Sequence, residues 1–237
     1  MAHKKLKRFA AIGAYPNVFQ YPENMQGKWY EVFGNVNPII LELACGKGEY
    51  TIALAEKYSE KNFLGVDIKG NRIWKGATYA LEKELKNAVF LRTQIEKISN
   101  YFAPAEVDEI WITFPDPQLQ LSRAKKRLTH PRFLKEYQKI LKPHGVIHLK
   151  TDSPDLYQFT KEVIDWSELQ TIADIADVHA QKGIPEDLRI KTHYEGLDIS
   201  GSRQVFYLSF MLPENWNDDI VEFEKFYKEK FKVNEKA

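Results

Sequence analysis

The feature that most constrains the fold is an apolar, β-rich run that ends at one aspartate between two prolines. It reads Val-Asp-Glu-Ile-Trp-Ile-Thr-Phe-Pro-Asp-Pro, residues 107–117. Proline fixes its own φ and disfavours helical backbone in the residue before it, so Asp116 must lie in a stiff, extended turn. Ligands of open α/β sheets bind beyond the carboxyl ends of the strands. The run therefore predicts a buried strand with Asp116 as a site residue, the alternative being a solvated strand-ending turn.

Composition excludes several classes of protein. The 237 residues suit one α/β domain with appendages, and the charges nearly cancel at +1, so any nucleic-acid surface must be a local patch. Cys45 is the only cysteine, which excludes an intramolecular disulfide and a cysteine-cluster zinc site. We find neither the apolar core of a signal peptide nor an apolar run long enough to span a bilayer. We therefore expect a cytoplasmic protein with no membrane partner.

Short apolar runs alternate with helical patterns from Pro38 onward. Seven strands are predicted at 39–44, 63–67, 89–91, 107–114, 146–151, 169–175 and 204–210. This alternation predicts an α/β fold, a doubly wound parallel sheet with a late antiparallel strand, in a single domain of residues 38–237. Residues 1–37 are predicted to be a basic and aromatic N-terminal arm. Its lysines could neutralise phosphates, or it could be a frayed terminus whose aromatic residues cover the core.

Acids also follow the first two predicted strands. Glu42 precedes a loop with Gly46 and Gly48, and Asp67 ends the second strand. Glycines let backbone approach a ligand closely, and an acid at the second strand end is placed to bind a ribose diol. The dinucleotide pattern G-x-G-x-x-G is absent, and Glu42 would repel a pyrophosphate. These charges fit S-adenosylmethionine, which has an ammonium, a sulfonium and a ribose diol, better than NAD, and they disfavour a dehydrogenase. The alternative is an ordinary turn between a strand and a helix, with two glycines and no ligand.

An ordered set of motifs resembles the bacterial tRNA (guanine-N(7)-)-methyltransferases from about residue 38 to 210. The motifs are Leu41-Glu42-Leu43-Ala44-Cys45-Gly46-Lys47-Gly48, Gly65-Val66-Asp67, Phe114-Pro115-Asp116-Pro117, Lys126-Arg127-Leu128-Thr129, Lys150-Thr151-Asp152 and Thr192-x-x-Glu195. The resemblance implies a Rossmann-like class I methyltransferase fold, S-adenosyl-L-methionine as cofactor and tRNA as partner.

The resemblance also implies roles for individual residues. Glu42, Asp67 and Asp116 would contact the cofactor or line its pocket, with Thr93 and Gln94 beside the adenine. Asp116 would also be the acidic residue of the catalytic site. The guanine or its ribose would be held by Asp152 and by Thr192, His193, Tyr194 and Glu195.

The chain departs from the family pattern at three positions. Ala44 stands where the family usually has a glycine, Gln118 replaces a tryptophan, and Gln120 stands where a substrate-binding lysine is expected. Positive charge resumes in a basic segment of Arg123, Lys125, Lys126 and Arg127, which we expect to bind the tRNA backbone. A solvated charged face is the alternative.

The chemistry can be argued from the substrate itself. Because the seventh nitrogen of guanine carries a lone pair and no proton, methylation needs no general base, and Asp116 is expected to orient the purine and stabilise its developing positive charge. The alternatives are the same fold acting on another RNA or on a small molecule, and a non-catalytic tRNA-binding protein. His144 and His148 have a spacing seen in metal sites, but a glycine and a strand intervene where a helix would be needed, so no metal site is predicted. The oligomeric state stays open.

Overall fold

The chain folds around one eight-stranded sheet. The structure is a computed structural model that describes residues 2–192, 195, 201, 203–214 and 216–234. Its strands are β1 Val18–Gln20, β2 Ile39–Leu43, β3 Asn62–Asp67, β4 Ala88–Arg92, β5 Val107–Thr113, β6 Leu141–Thr151, β7 Gln170–Ile175 and β8 Phe206–Met211. Strands β1 to β6 are parallel in the order β1-β4-β3-β2-β5-β6, and β8 lies antiparallel between β6 and β7. The doubly wound class with late antiparallel strands is confirmed.

The sheet has one strand more than the predicted seven. The additional strand, β1, pairs with β4 at the edge of the sheet and contains only three residues, too few for an alternating pattern to be read from the sequence. The segment predicted as an N-terminal arm also contains helices α1 Ala2–Ala11 and α2 Trp29–Phe33. Trp29 is fully buried and stacks on Phe102 with 5.3 Å between ring centroids. Helix α2 is therefore packed into the core through Trp29 and Phe33, whereas α1 is largely exposed and lies against α4.

The remaining helices cover both faces of the sheet. They are α3 Glu49–Lys57, α4 Gly70–Glu82, α5 Pro131–Gln138, α6 Pro154–Trp166 and α7 Ile220–Asn234. Helices α2, α5, α6 and α7 bury apolar residues on one face, and α3 and α4 on the other. No helix among the described residues is long and apolar enough to cross a membrane.

Two helix boundaries differ from the predicted ones. Threonine is a favoured N-cap residue, so Thr129, two residues before Pro131, is predicted to cap α5. The side chain of His130 instead accepts the hydrogen bond from the Arg132 backbone N–H. The Thr129 hydroxyl is instead hydrogen-bonded to that of Thr160 at 2.7 Å. The apolar stripe of Ile73, Ala77, Ala80 and Leu81 predicts a helix from Gly70 to Lys86, but α4 ends at Glu82.

The sheet reverses its direction of growth between β2 and β5. The chain builds β2, β3 and β4 outward in one direction, and then returns to place β5 beside β2. In a sheet of this kind the reversal opens a crevice at the carboxyl ends of the two strands. Glu42 lies in β2 and the Asp116 turn follows β5, so both belong to this crevice.

Three glycines surround the buried ring of Phe90 beneath the β2–α3 loop. A Cβ atom would lie 2.5 Å from the ring at Gly48, and 2.8 Å from it at both Gly65 and Gly76. Gly48 also has a φ of 70°, in the left-handed region that favours glycine. Gly48 is therefore required by the packing of α3 and α4 on the sheet, a reason that differs from the predicted close approach of backbone to a ligand.

Gly48→Ala should destabilise the protein more than Gly34→Ala. Both glycines have a similar φ, 70° and 68°, but a Cβ at Gly34 would meet no atom within 4 Å. The left-handed backbone should cost each variant about 1 kcal/mol, and the collision with Phe90 should cost Gly48→Ala a further ~1–3 kcal/mol. Urea unfolding of both variants measures the difference. Equal losses would mean that Phe90 can move aside at no cost.

Candidate active site

The carboxylate of Glu42 is the most heavily hydrogen-bonded group of the site. It is 4% exposed, and it accepts hydrogen bonds from the Thr51 backbone N–H at 2.8 Å, from the Thr51 hydroxyl, and from the Thr113 hydroxyl at 2.5 Å. These contacts join β2 to the first turn of α3 and to the end of β5. Thr51 and Thr113 were not predicted as site residues, because a threonine that supports a carboxylate has no distinctive spacing in a sequence.

Burial changes the acidity of Glu42. Removal from water raises the pKa of its carboxyl to about 7, and the hydrogen bonds from Thr113 and Thr51 only partly oppose this effect. Nearby Asp67 also raises the pKa. A cation bound beside Glu42 would favour the charged form of the carboxyl, so the site is suited to an ammonium group.

Asp67 holds the loop after β2. Its Oδ2 accepts the Gly46 N–H at 2.9 Å and its Oδ1 accepts the Lys69 N–H at 2.7 Å, and each oxygen keeps a lone pair for a ligand hydroxyl. Ala44 and Gly46 have left-handed φ values of 58° and 57°. Ala44 therefore keeps the backbone conformation that a glycine would adopt more easily there.

Thr93 follows the carboxyl end of β4 and is fully buried. Its hydroxyl forms no hydrogen bond with any residue that the structure describes. A buried hydroxyl without a partner fits a site that offers hydrogen bonds to a ligand. Gln94 is exposed at the start of the next short 3₁₀ helix, Ile95–Asn100.

Asp116 lies in the turn after β5, and its carboxylate is exposed. The Asp116 Oδ1 accepts the Gln118 backbone N–H at 3.0 Å. Phe114 and Gln118, on either side of the Pro-Asp-Pro sequence, both have a φ of 47°. Left-handed backbone is strained for residues with a Cβ, so contacts from elsewhere must hold this turn.

The basic segment after the turn separates into exposed and buried residues. Arg123, Lys125 and Lys126 are exposed on and near the 3₁₀ helix Leu121–Lys126, and Gln120 is exposed just before it. Arg127 is only 2% exposed, and its guanidinium donates to the Pro117 and Gln118 carbonyls at 3.1 and 3.3 Å. The predicted contact of Arg127 with tRNA is therefore corrected, because its donors are used inside the protein.

A buried ion pair lies at the end of β6. Lys150 Nζ is 2.9 Å from Glu195 Oε2 and donates to the Ile190 carbonyl at 2.8 Å, while His179 Nε2 lies 3.0 Å from Glu195 Oε1. Both side chains of the pair are almost completely buried. Lys150 occurs in a quoted motif but was assigned no role, since a strand residue gives no signal of which loop will cover it.

The segment before Glu195 crosses over helix α3. The Tyr50 hydroxyl donates to the Asp187 carbonyl at 2.7 Å, and the Asp187 carboxylate accepts hydrogen bonds from Lys57 at 2.7 Å and from Tyr58 at 2.9 Å. These contacts place Thr192 at the narrow cleft that Glu42 also lines.

The structure therefore brings several predicted residues to one edge of the sheet. Glu42, Gly46, Gly48, Asp67 and Thr93 follow or end β2, β3 and β4, while Asp116 and Asp152 follow β5 and β6. Thr192 and Glu195 reach the same edge through the segment that crosses α3. His193 and Tyr194 lie outside the described residues. Within the described part of the chain, no group of three His, Cys, Asp or Glu side chains could hold a metal ion.

Known proteins resemble the chain over most of its length. Residues 36–208 match a family model described as a putative methyltransferase. The chain is 45% identical to a tRNA (guanine-N(7)-)-methyltransferase of Bacteroides thetaiotaomicron, with 90% of the chain and 88% of the relative covered. It is 46% identical to one of Porphyromonas gingivalis, with 84% and 86% covered. Among solved structures, the 16S rRNA methyltransferase KamB is 14% identical with a TM-score of 0.59, over 83% of this chain and 99% of that one, which is a likeness of fold.

Glu42→Gln should change how stability depends on pH. The raised pKa means that the folded protein holds a proton on Glu42 between about pH 4.5 and 7, where the unfolded chain releases it. Stability from this group is therefore present below about pH 4.5 and is lost as the pH rises through about 7. Glutamine resembles the protonated carboxyl and does not titrate. Relative to the variant, the wild type should lose up to ~3 kcal/mol between about pH 5 and pH 8 in urea unfolding. Parallel pH profiles for the two proteins would contradict the raised pKa.

Proposed function

The chain belongs to the tRNA (guanine-N(7)-)-methyltransferase family, as its motifs predicted, and we propose that it methylates the seventh nitrogen of a guanine in the variable loop of tRNA. The observation that carries the proposal is the meeting of Glu42, Asp67 and Asp116 at one edge of the sheet, in a chain 45% identical to a protein named for this reaction. A tRNA substrate also favours a cytoplasmic location.

The residues at this edge fit S-adenosylmethionine, which is the cofactor of this methyltransferase. Glu42 offers a buried carboxylate for an ammonium group, Asp67 offers acceptor lone pairs for a ribose diol, and Thr93 offers a buried hydroxyl for the adenine. Carboxylates rather than phosphate-binding amides at the strand ends favour this cofactor over a dinucleotide. When bound, the cofactor supplies an electrophilic methyl group on a sulfonium sulfur.

The chain must position the guanine rather than deprotonate it. The attacking nitrogen has a free lone pair, so the protein needs only to align the purine and to stabilise the positive charge that appears on it. The exposed carboxylate of Asp116, at the mouth of the crevice, is suited to both tasks. Asp152, Thr192 and Glu195 are proposed to hold the guanine or its ribose, together with His193 and Tyr194.

The guanine must leave its stack in the folded RNA to reach this edge. Extraction of a base needs contacts to the surrounding phosphates. Arg123, Lys125 and Lys126 are exposed and follow directly after the Asp116 turn, so they could bind the backbone beside the extracted nucleotide. Gln120 lies between this cluster and Asp116 and is proposed to contact the substrate.

The test of the proposal is transfer of labelled methyl groups from S-adenosylmethionine to unmodified tRNA, followed by nucleoside analysis. We expect 7-methylguanosine. Cofactor binding without methylation of tRNA would favour another RNA or a small molecule as substrate, and absence of cofactor binding would favour a non-catalytic tRNA-binding protein.

Asp116→Ala should lower kcat by about 10²- to 10³-fold, because it removes the charge that stabilises the methylated purine. Asp116 is exposed but accepts the Gln118 N–H, so stability should fall by about 0.5–1.5 kcal/mol, the usual cost of one lost hydrogen bond. Steady-state methyl transfer and urea unfolding measure the two effects. Asp174→Ala, a change of a carboxylate at the far edge of the sheet in β7, is the control and should leave kcat unchanged. Turnover near the wild-type value in Asp116→Ala would refute the assigned role.

A double change of Lys125 and Lys126 to Ala should weaken tRNA binding and reduce the slope of log affinity against log salt by about 1–2, since each lost phosphate contact removes ~0.7–0.9. The matched control changes Lys83 and Lys86, which are exposed near the end of α4 that lies away from the site. Filter binding at several salt concentrations measures both proteins. Equal slopes for the two double variants would mean that the basic segment is only a solvated face.

A further inference from the structure

We propose that Arg127 is a positioning residue that fixes the Asp116 turn and connects it to the C-terminal helix α7 through Tyr227. Its effect on methyl transfer rests on the proposed function, whereas its effect on the turn does not. Arg127 lies inside the protein, although it belongs to a segment in which four of five consecutive residues are basic.

The guanidinium of Arg127 contacts both sides of the connection. Its Nε donates to the Pro117 carbonyl at 3.1 Å and its Nη2 to the Gln118 carbonyl at 3.3 Å. Its Nη1 donates to the Tyr227 hydroxyl at 2.9 Å. The planar fork thus binds the backbone that directly follows Asp116 with one edge, and a side chain of α7 with the other.

Aromatic rings complete the surroundings of this cation. The guanidinium carbon lies 4.6 Å from the centroid of the Phe159 ring and 5.9 Å from that of Tyr227. The two rings meet edge to face at 5.0 Å. A charge buried to this degree needs several partners, and here the partners are two carbonyls, a hydroxyl and two π faces. The guanidinium is therefore held in one orientation.

The turn that Arg127 contacts needs such support. Gln118, whose carbonyl accepts from Arg127, has a left-handed φ of 47°, and its N–H donates to Asp116 Oδ1. A strained residue stays in place only when its neighbours determine its conformation. Loss of the Arg127 contact would release Gln118 and, through its N–H, the carboxylate of Asp116.

Two variants test the connection in the full-length protein. Tyr227→Phe removes the hydroxyl and keeps the ring, and Arg127→Lys keeps the charge and removes the fork. Tyr157→Phe is the matched control, since it removes a hydroxyl bonded to Asp174 on the other side of α6. The measurements are amide hydrogen exchange of the peptide covering residues 114–120, kcat and KM for methyl transfer, and tRNA affinity against salt.

We expect exchange in this peptide to be at least about threefold faster in both variants and unchanged in Tyr157→Phe. The kcat should fall about 3- to 10-fold in Tyr227→Phe and about 10- to 100-fold in Arg127→Lys, because Asp116 is no longer aligned. The KM for tRNA and the salt slope should stay within about twofold of wild type, since no phosphate contact is lost.

Other results would overturn the proposal. Unchanged exchange in both variants would mean that the turn holds its own conformation. A normal kcat in Arg127→Lys would refute the positioning role. A third variant, Arg127→Met, that loses the tRNA affinity which Arg127→Lys retains would assign Arg127 to a phosphate contact. If the wild type methylates no tRNA, the proposed function fails, and the exchange measurement alone still decides whether Arg127 fixes the turn.

Discussion

The site depends on one buried carboxylate at the end of the central strand. Glu42 could have been placed in water at little cost, but it is buried, and its oxygens accept hydrogen bonds from α3 and from β5. An acid in such a place is costly unless its lone pairs are satisfied, and it remains an acid that a cation can stabilise further. The same contacts fix α3 and β5 relative to β2, so the crevice at the sheet reversal is shaped by the group that is proposed to bind the ligand there.

Much of this arrangement could be predicted, because parallel strands place their last residues together. Once the alternation of strands and helices was read, Glu42, Asp67 and Asp116 had to meet at one edge. What could not be predicted is which groups support them. In the chain, Thr51 lies three residues after Gly48, and Thr113 lies seventy-one residues after Glu42. They contact the same carboxylate because α3 and β5 pack against β2. The edge strand β1 was missed for a related reason, since three residues hold no periodic pattern.

The basic segment shows how local geometry sorts residues that look alike in a sequence. A 3₁₀ helix has three residues per turn, so residues three apart lie on the same side. Ala124 in the helix and Arg127 directly after it are both buried, and the Arg127 N–H donates to the Ala124 carbonyl, whereas Arg123, Lys125 and Lys126 are exposed. The basic segment, which the sequence suggests is one surface, therefore has two parts. One is an exposed cluster that a polyanion can reach, and the other is a single buried cation. The local backbone conformation, which the sequence does not show, decides which of these residues are exposed.

Buried cations lie on both sides of the Asp116 turn. They explain how a strained turn can keep one conformation although the side chain of Asp116 is exposed to solvent. Lys150, the β6 partner of Thr113, bonds Glu195 and the Ile190 carbonyl, and its own carbonyl accepts the Phe114 N–H at 2.8 Å. Arg127 bonds the carbonyls that follow Asp116. Each cation costs desolvation energy that its partners must offset, and removal of one partner would leave a buried charge uncompensated. The exposed carboxylate of Asp116 is thus oriented from within the protein, which leaves its outer side open to a substrate as large as an RNA.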